Sequence, residues 1–132
     1  MIMLKITVIL LVFVFLCPLY SQEETRIIAV ASEGETPEAS VSAIAARCAH
    51  FLFFDGDGVF QNALENPYKE AKGGAGAQAA AFLAEKKATV LLAGRFGEKM
   101  KAALESSEIE CVESEGTVAD AVEKFLKRGV AK

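Results

Sequence analysis

The chain has 132 residues, enough for one domain with one modest core. Its 14 Lys and Arg stand against 18 Asp and Glu, a net charge of −4, and no basic stripe is present; this argues against nucleic acid as the partner, because phosphate neutralisation needs clustered cations. Three cysteines without a CxxC pair, and one histidine, argue against a closed structural zinc site, which takes four ligands.

In chain order, Lys5 precedes an uncharged apolar run over residues 6–16, and Cys17-Pro18-Leu19-Tyr20-Ser21 follows before the polar Gln22-Glu23-Glu24. A short positive region, an apolar core and a small residue read as a secretory signal peptide over residues 1–21, cleaved after Ser21. The rival is an uncleaved membrane anchor over residues 6–20. Either way the domain is expected to be exported, periplasmic or extracellular, or tethered to a membrane. Cys17 leaves with a cleaved signal, and Cys48 and Cys111 fall on different parts of the expected sheet, so no disulfide is expected.

Residues 27–31 are wholly apolar and predict a central strand buried on both faces. Within residues 32–50, Thr36-Pro37-Glu38 followed by an Ala-rich stretch predicts a short helix. Residues 51–54 and 59–64 predict two strands joined at Asp55-Gly56-Asp57-Gly58, an Asp-Gly hairpin signal. Asn66-Pro67 stops the second of them. A helix is predicted from Gly76 to about residue 87, a strand over 89–93, a short helix over 98–106 and an edge strand over 109–112. Thr117 with Asp120 resembles a capping box, and Val118, Ala121, Val122, Phe125 and Leu126 form one apolar stripe of a last helix. Gly129 is its expected terminator. The order β-β-β-α-β-α-β-α predicts an α/β domain over residues 26–129. Right-handed crossovers then give a five-stranded mixed sheet of order 3-2-1-4-5 with three helices, which resembles the ribonuclease H-like arrangement.

Gly73-Gly74-Ala75-Gly76-Ala77-Gln78 opens a helix. Helix starts carry N–H groups without internal partners and a partial positive charge. Glycines let oxygens or sulfides approach that backbone, so Gly73, Gly74 and Gly76 are candidate contacts for an anionic cofactor. The same glycines would also serve a tight loop beneath a closely packed helix. Arg47-Cys48-Ala49-His50 sets a thiol and an imidazole two residues apart, beside an arginine. Both are ligands for iron, zinc or copper, which makes Cys48 and His50 candidate metal ligands. Arg47 would lower the thiol's pKa or pair with an anionic cluster. Two residues cannot wrap a bare ion, yet they can hold a preformed cluster at one corner. The alternative is a buried Cys48 and a surface His50. In Gly94-Arg95-Phe96-Gly97, beyond the fourth strand, Arg95 would contact an anion or form a surface ion pair.

Catalysis finds little support. A nuclease of this arrangement needs clustered carboxylates starting on the first strand, where this chain has Ala29, Ala31 and Ser32. A single histidine gives no confident Ser-His-Asp set. The protein is therefore read as not an enzyme, with a small hydrolase as the residual catalytic alternative.

Several segments occur together in a specific order: Val41-Ser42, Arg47-Cys48, Phe51, Asp55, Glu65-Asn66-Pro67, Gly73-Gly74-Ala75-Gly76-x-Gln78-Ala79-Ala80, Gly94-Arg95-Phe96-Gly97 and Glu115-Gly116-Thr117-Val118. In this the chain resembles the dinitrogenase iron–molybdenum cofactor biosynthesis family, specifically its small members related to NifX and to the C-terminal part of NifB. The resemblance covers about residues 26–129. It implies a non-catalytic carrier in nitrogen-fixation cofactor assembly that binds an iron–sulfur or iron–molybdenum cluster and passes it between assembly proteins. The implied cluster region is residues 41–51, with the glycine turns nearby. Members often read His or Arg, then Phe-Gly-Arg, in that loop, where this chain has Ile44-Ala45-Ala46-Arg47. A second expectation is an exported scaffold of the same fold that lacks the metal site and binds a protein partner or small anion.

Overall fold

The computed structural model describes residues 26–130. The signal-peptide or anchor segment lies outside them. Five strands form one sheet: β1 (Ile27–Ser32), β2 (His50–Asp55), β3 (Phe60–Glu65), β4 (Val90–Ala93) and β5 (Glu110–Glu113). Their spatial order is β3-β2-β1-β4-β5. The pairs β1–β2 and β2–β3 are antiparallel, and β1–β4 and β4–β5 are parallel. The helices are α1 (Ala75–Glu85), α2 (Glu98–Ser106) and α3 (Val118–Val130). Order and topology are those read from the sequence, with strand ends shifted by at most one residue.

The period of two along each strand divides the core into two layers. Ala29, Ala31, Phe51, Phe53 and Leu91 pack with α1 and α2 residues such as Leu83, Met100 and Leu104. Ile28, Val30, Leu52, Phe54 and Leu92 pack with Val118, Val122 and Phe125 of α3. Both faces of β1 are thus covered, which is why its sequence is continuously apolar. The hairpin forms at the expected Asp-Gly turn, where Asp55 Oδ1 accepts hydrogen bonds from the backbone N–H groups of Asp57 and Val59, both at 2.9 Å.

Three local expectations are corrected. Thr36-Pro37-Glu38 starts no helix, and the segment holds only a 3-10 turn at Ala45–Arg47. Its backbone bonds run instead to β1, to the end of β4 and to the start of α3: Ser42 N donates to Ala31 O, Gly94 N to Ser42 O, Ala45 N to Arg95 O and Val41 N to Gly116 O. These tertiary partners override the weak helical preference of the alanines. Second, α1 starts at Ala75, so Gly76 lies inside its first turn. Third, α3 runs through Gly129 to Val130. Its cap is the expected one, with Asp120 N donating to Thr117 Oγ1 at 3.2 Å.

Candidate functional site

β3 and β1 are both antiparallel to β2, and β4 and β5 run parallel to β1, so four strands end at one edge of the sheet. All three helices begin beyond strands that end at that edge. There an open cavity of ≈ 460 Å³ lies between the starts of α1 and α2 and the 45–47 turn. Arg47, Gly74, Gly76, Gly97, Lys99 and Met100 line it, and Ile44 sits at its rim with 52% of its surface exposed. The glycine turn before α1 and the turn before α2, separate in sequence, therefore open onto one space.

Neither helix start has a side-chain cap. Gln78 N donates to Gly74 O at 3.0 Å and Lys101 N to Gly97 O at 2.9 Å. The N–H groups of the residues between have no intrahelical acceptor, and each start carries a partial positive charge. Glu98 in the first turn of α2 opposes part of that charge. The glycines divide by role. Gly74 caps α1 in the left-handed region at φ 69°, where residues with a Cβ are strained. A Cβ on Gly76 would lie 2.8 Å from Met100 Cβ, so Gly76 serves the close packing of α1 on α2. A Cβ on Gly73 or Gly97 would meet nothing within 4 Å.

Arg47 extends across the cavity wall. Its Nη1 donates to Lys69 O at 3.1 Å and to Ala71 O at 2.6 Å, tying the 45–47 turn to the segment leading into Gly73. Among the described residues no carboxylate lies within ion-pair distance of its guanidinium.

Cys48 is placed against a ligand role. It is 0% exposed, within the α1–α2 layer of the core. Burial pushes its thiol up to about 12, and hydrogen bonds from the Ser32 backbone and the Asn66 side chain offset only part of that rise. The expectation that Arg47 lowers this pKa is not met; the guanidinium is engaged with carbonyls instead. His50, two residues on, opens β2 opposite Ser32 and Glu65. Strand alternation sets it on the α3 face with Leu52. Its Nε2 lies 3.2 Å from Glu35 Oε1, and its buried Nδ1 has no partner among the described residues. The thiol and the imidazole therefore belong to opposite faces of the sheet. Arg95 is exposed beside Ile44, its carbonyl held by Ala45 N, and it does not line the cavity. Among the described residues no group of three His, Cys, Asp or Glu is placed to hold a metal ion.

Asn66 is the residue whose importance the sequence understated. It is 3% exposed, yet fully bonded. Its Nδ2 donates to Ala46 O and Cys48 O, both at 3.0 Å, and its Oδ1 accepts from Tyr68 N at 3.0 Å. Asn-Pro after a strand reads as a stop signal; the long-range bonds of the amide leave no trace in local sequence.

The fold has counterparts among solved structures. The apo form of the orange protein from Desulfovibrio gigas is 33% identical over 80% of this chain and 91% of its own, with a TM-score of 0.74. A Thermotoga protein assigned to NifB and to the DUF35 family is 25% identical over 77% of this chain and 88% of its own, with a TM-score of 0.66. A Methanocaldococcus jannaschii protein assigned as a dinitrogenase shares the fold at 13% identity over 80% of this chain and 92% of its own, with a TM-score of 0.56. No curated protein sequence gives a significant match. The sequence profile described as dinitrogenase iron-molybdenum cofactor matches residues 26–128, nearly the whole described region, and the chain belongs to that family.

Proposed function

We propose that this protein is a non-catalytic carrier for an anionic metal–sulfur cluster, of iron–sulfur or iron–molybdenum type, exchanged with cluster-assembly proteins. The observation that carries the reading is the convergence on one open cavity of two helix starts without side-chain caps and of Arg47, which has no carboxylate partner among the described residues, within a chain of this family. The donors fit an anionic body bound from outside its coordination sphere: backbone N–H groups and one guanidinium. They do not fit a bare cation, since the buried Cys48 thiol offers no thiolate. The cluster would arrive with its own ligands complete. Residues 1–21 complete the proposal as an export signal, or residues 6–20 as an anchor, carrying the domain to the periplasm, the exterior or a membrane surface.

Anaerobic reconstitution with iron and sulfide, alone or with molybdate, tests this. Visible absorbance and bound metal are expected for the native chain and for Cys48→Ala, and are reduced in Arg47→Gln. A colourless, metal-free protein in every case contradicts the carrier reading. The apolar Ile44 at the cavity rim favours a second reading, a scaffold of the same fold that binds a small anion without metal. That reading predicts a melting shift with molybdate or phosphate and no uptake of iron and sulfide; ligand at 100 times its Kd adds roughly 2.7 kcal/mol of stability.

A further inference from the structure

Two peptide segments about twenty residues apart in sequence are tied together beside the cavity, which the first of them lines through Ile44, Ala46 and Arg47. The first runs from Ile44 to Ala49 and carries Arg47. The second, residues 66–72, leads directly into Gly73 and the start of α1. Asn66 joins them from the inside: its amide bonds Ala46 O, Cys48 O and Tyr68 N, and its own N–H bonds Ala49 O at 3.0 Å. The Cys48 thiol completes this buried knot, with Sγ 3.7 Å from Asn66 Nδ2. Arg47 joins the same segments from the outside through Lys69 O and Ala71 O. One Nη1 is thereby anchored, while the other N–H groups of the guanidinium meet no protein acceptor among the described residues.

From this geometry we infer that Asn66 is a positioning residue for the cavity: it fixes the backbone on both sides of Arg47 and so sets how the guanidinium faces an anionic ligand. The inference rests on the carrier reading, because it assigns Asn66 an effect that passes through Arg47. Asparagine suits the position because one primary amide supplies two donors and an acceptor at once. Aspartate would turn the donor end into an acceptor facing two carbonyls, which would break the knot.

The test is a double-mutant cycle on molybdate affinity, measured by calorimetry on folded protein, with Arg47→Gln, Asn66→Ser and the pair. Arg47→Gln is expected to weaken binding roughly tenfold, the scale of one charge-assisted hydrogen bond. Asn66→Ser is expected to weaken it roughly threefold, and the double variant no more than Arg47→Gln alone, the non-additivity expected of coupled residues. Independent, multiplying losses overturn the inference and leave the carrier reading standing. An unchanged affinity in Asn66→Ser also overturns it. No molybdate binding and no cluster uptake by the native chain overturn both.

A second measurement needs no variant to fold. In the native chain, amide hydrogen exchange at residues 45–49 and 66–71 is expected to share one opening free energy, as in a single cooperative unit. Separate opening of the two segments contradicts their being one unit joined by Asn66 and Arg47.

Discussion

A thiol coordinates metal as its thiolate, and the surroundings of Cys48 suppress that form. Its raised pKa has a consequence for stability. The ordinary thiol value is 9.0 and the folded value is about 12, so an unfolded chain loses this proton first as pH rises. The stabilisation is complete below about pH 9 and fades between about 9 and 12, at up to roughly 1.4 kcal/mol per pH unit. Denaturant titrations at stepped pH are expected to show a shallower decline for Cys48→Ala than for the native chain. Equal slopes would mean the thiol is not held protonated by the fold. At Gly76 the expected effect is steric. Gly76→Ala forces a Cβ against Met100 and is expected to destabilise the protein by about 1–3 kcal/mol, the usual scale of overpacking, read from the urea midpoint.

At the scale of elements, the starts of α1 and α2 carry the proposed chemistry. Gly97 caps α2 at φ −67° with open space around its missing Cβ. Gly97→Val is therefore expected to leave the melting temperature within a few degrees of native while obstructing the cavity and lowering cluster uptake. Full uptake in that variant would place the ligand elsewhere. Loss of the cap at Thr117, which does not line the cavity, gives a separate control, and Thr117→Ala is expected to cost about 1 kcal/mol with uptake unaffected. These elements were legible in the sequence to different degrees. Strands β1 and β4 announce themselves through unbroken apolar runs, and α3 through a stripe at helical spacing. The 33–48 segment does not, because its path is fixed by backbone bonds to Ala31, Gly94, Arg95 and Gly116, and local composition cannot report partners so distant. The separation of Cys48 from His50 was hidden for a related reason. Two residues' spacing ordinarily shares a strand face, but here Cys48 precedes β2 and turns into the opposite layer, drawn to Asn66.

For the whole molecule, the mixed sheet brings Arg47 and two helix starts to one cavity at a single edge, at positions spread from 47 to 97 along the chain. The order 3-2-1-4-5 was readable from element types and right-handed crossovers alone. Which turns share a cavity was not, since that depends on how α1 and α2 pack through Gly76 and Met100. On the proposed function, the assembled edge, and no single ligating side chain, holds an anionic cluster. The decisive measurement is metal and acid-labile sulfide analysis of the protein isolated anaerobically from its own host, with Cys48→Ala and Arg47→Gln expressed alongside. Stoichiometric metal and sulfide are expected in the native and Cys48→Ala proteins, with a clear loss in Arg47→Gln. Metal that disappears with Cys48, or none in any of the three, would contradict that function.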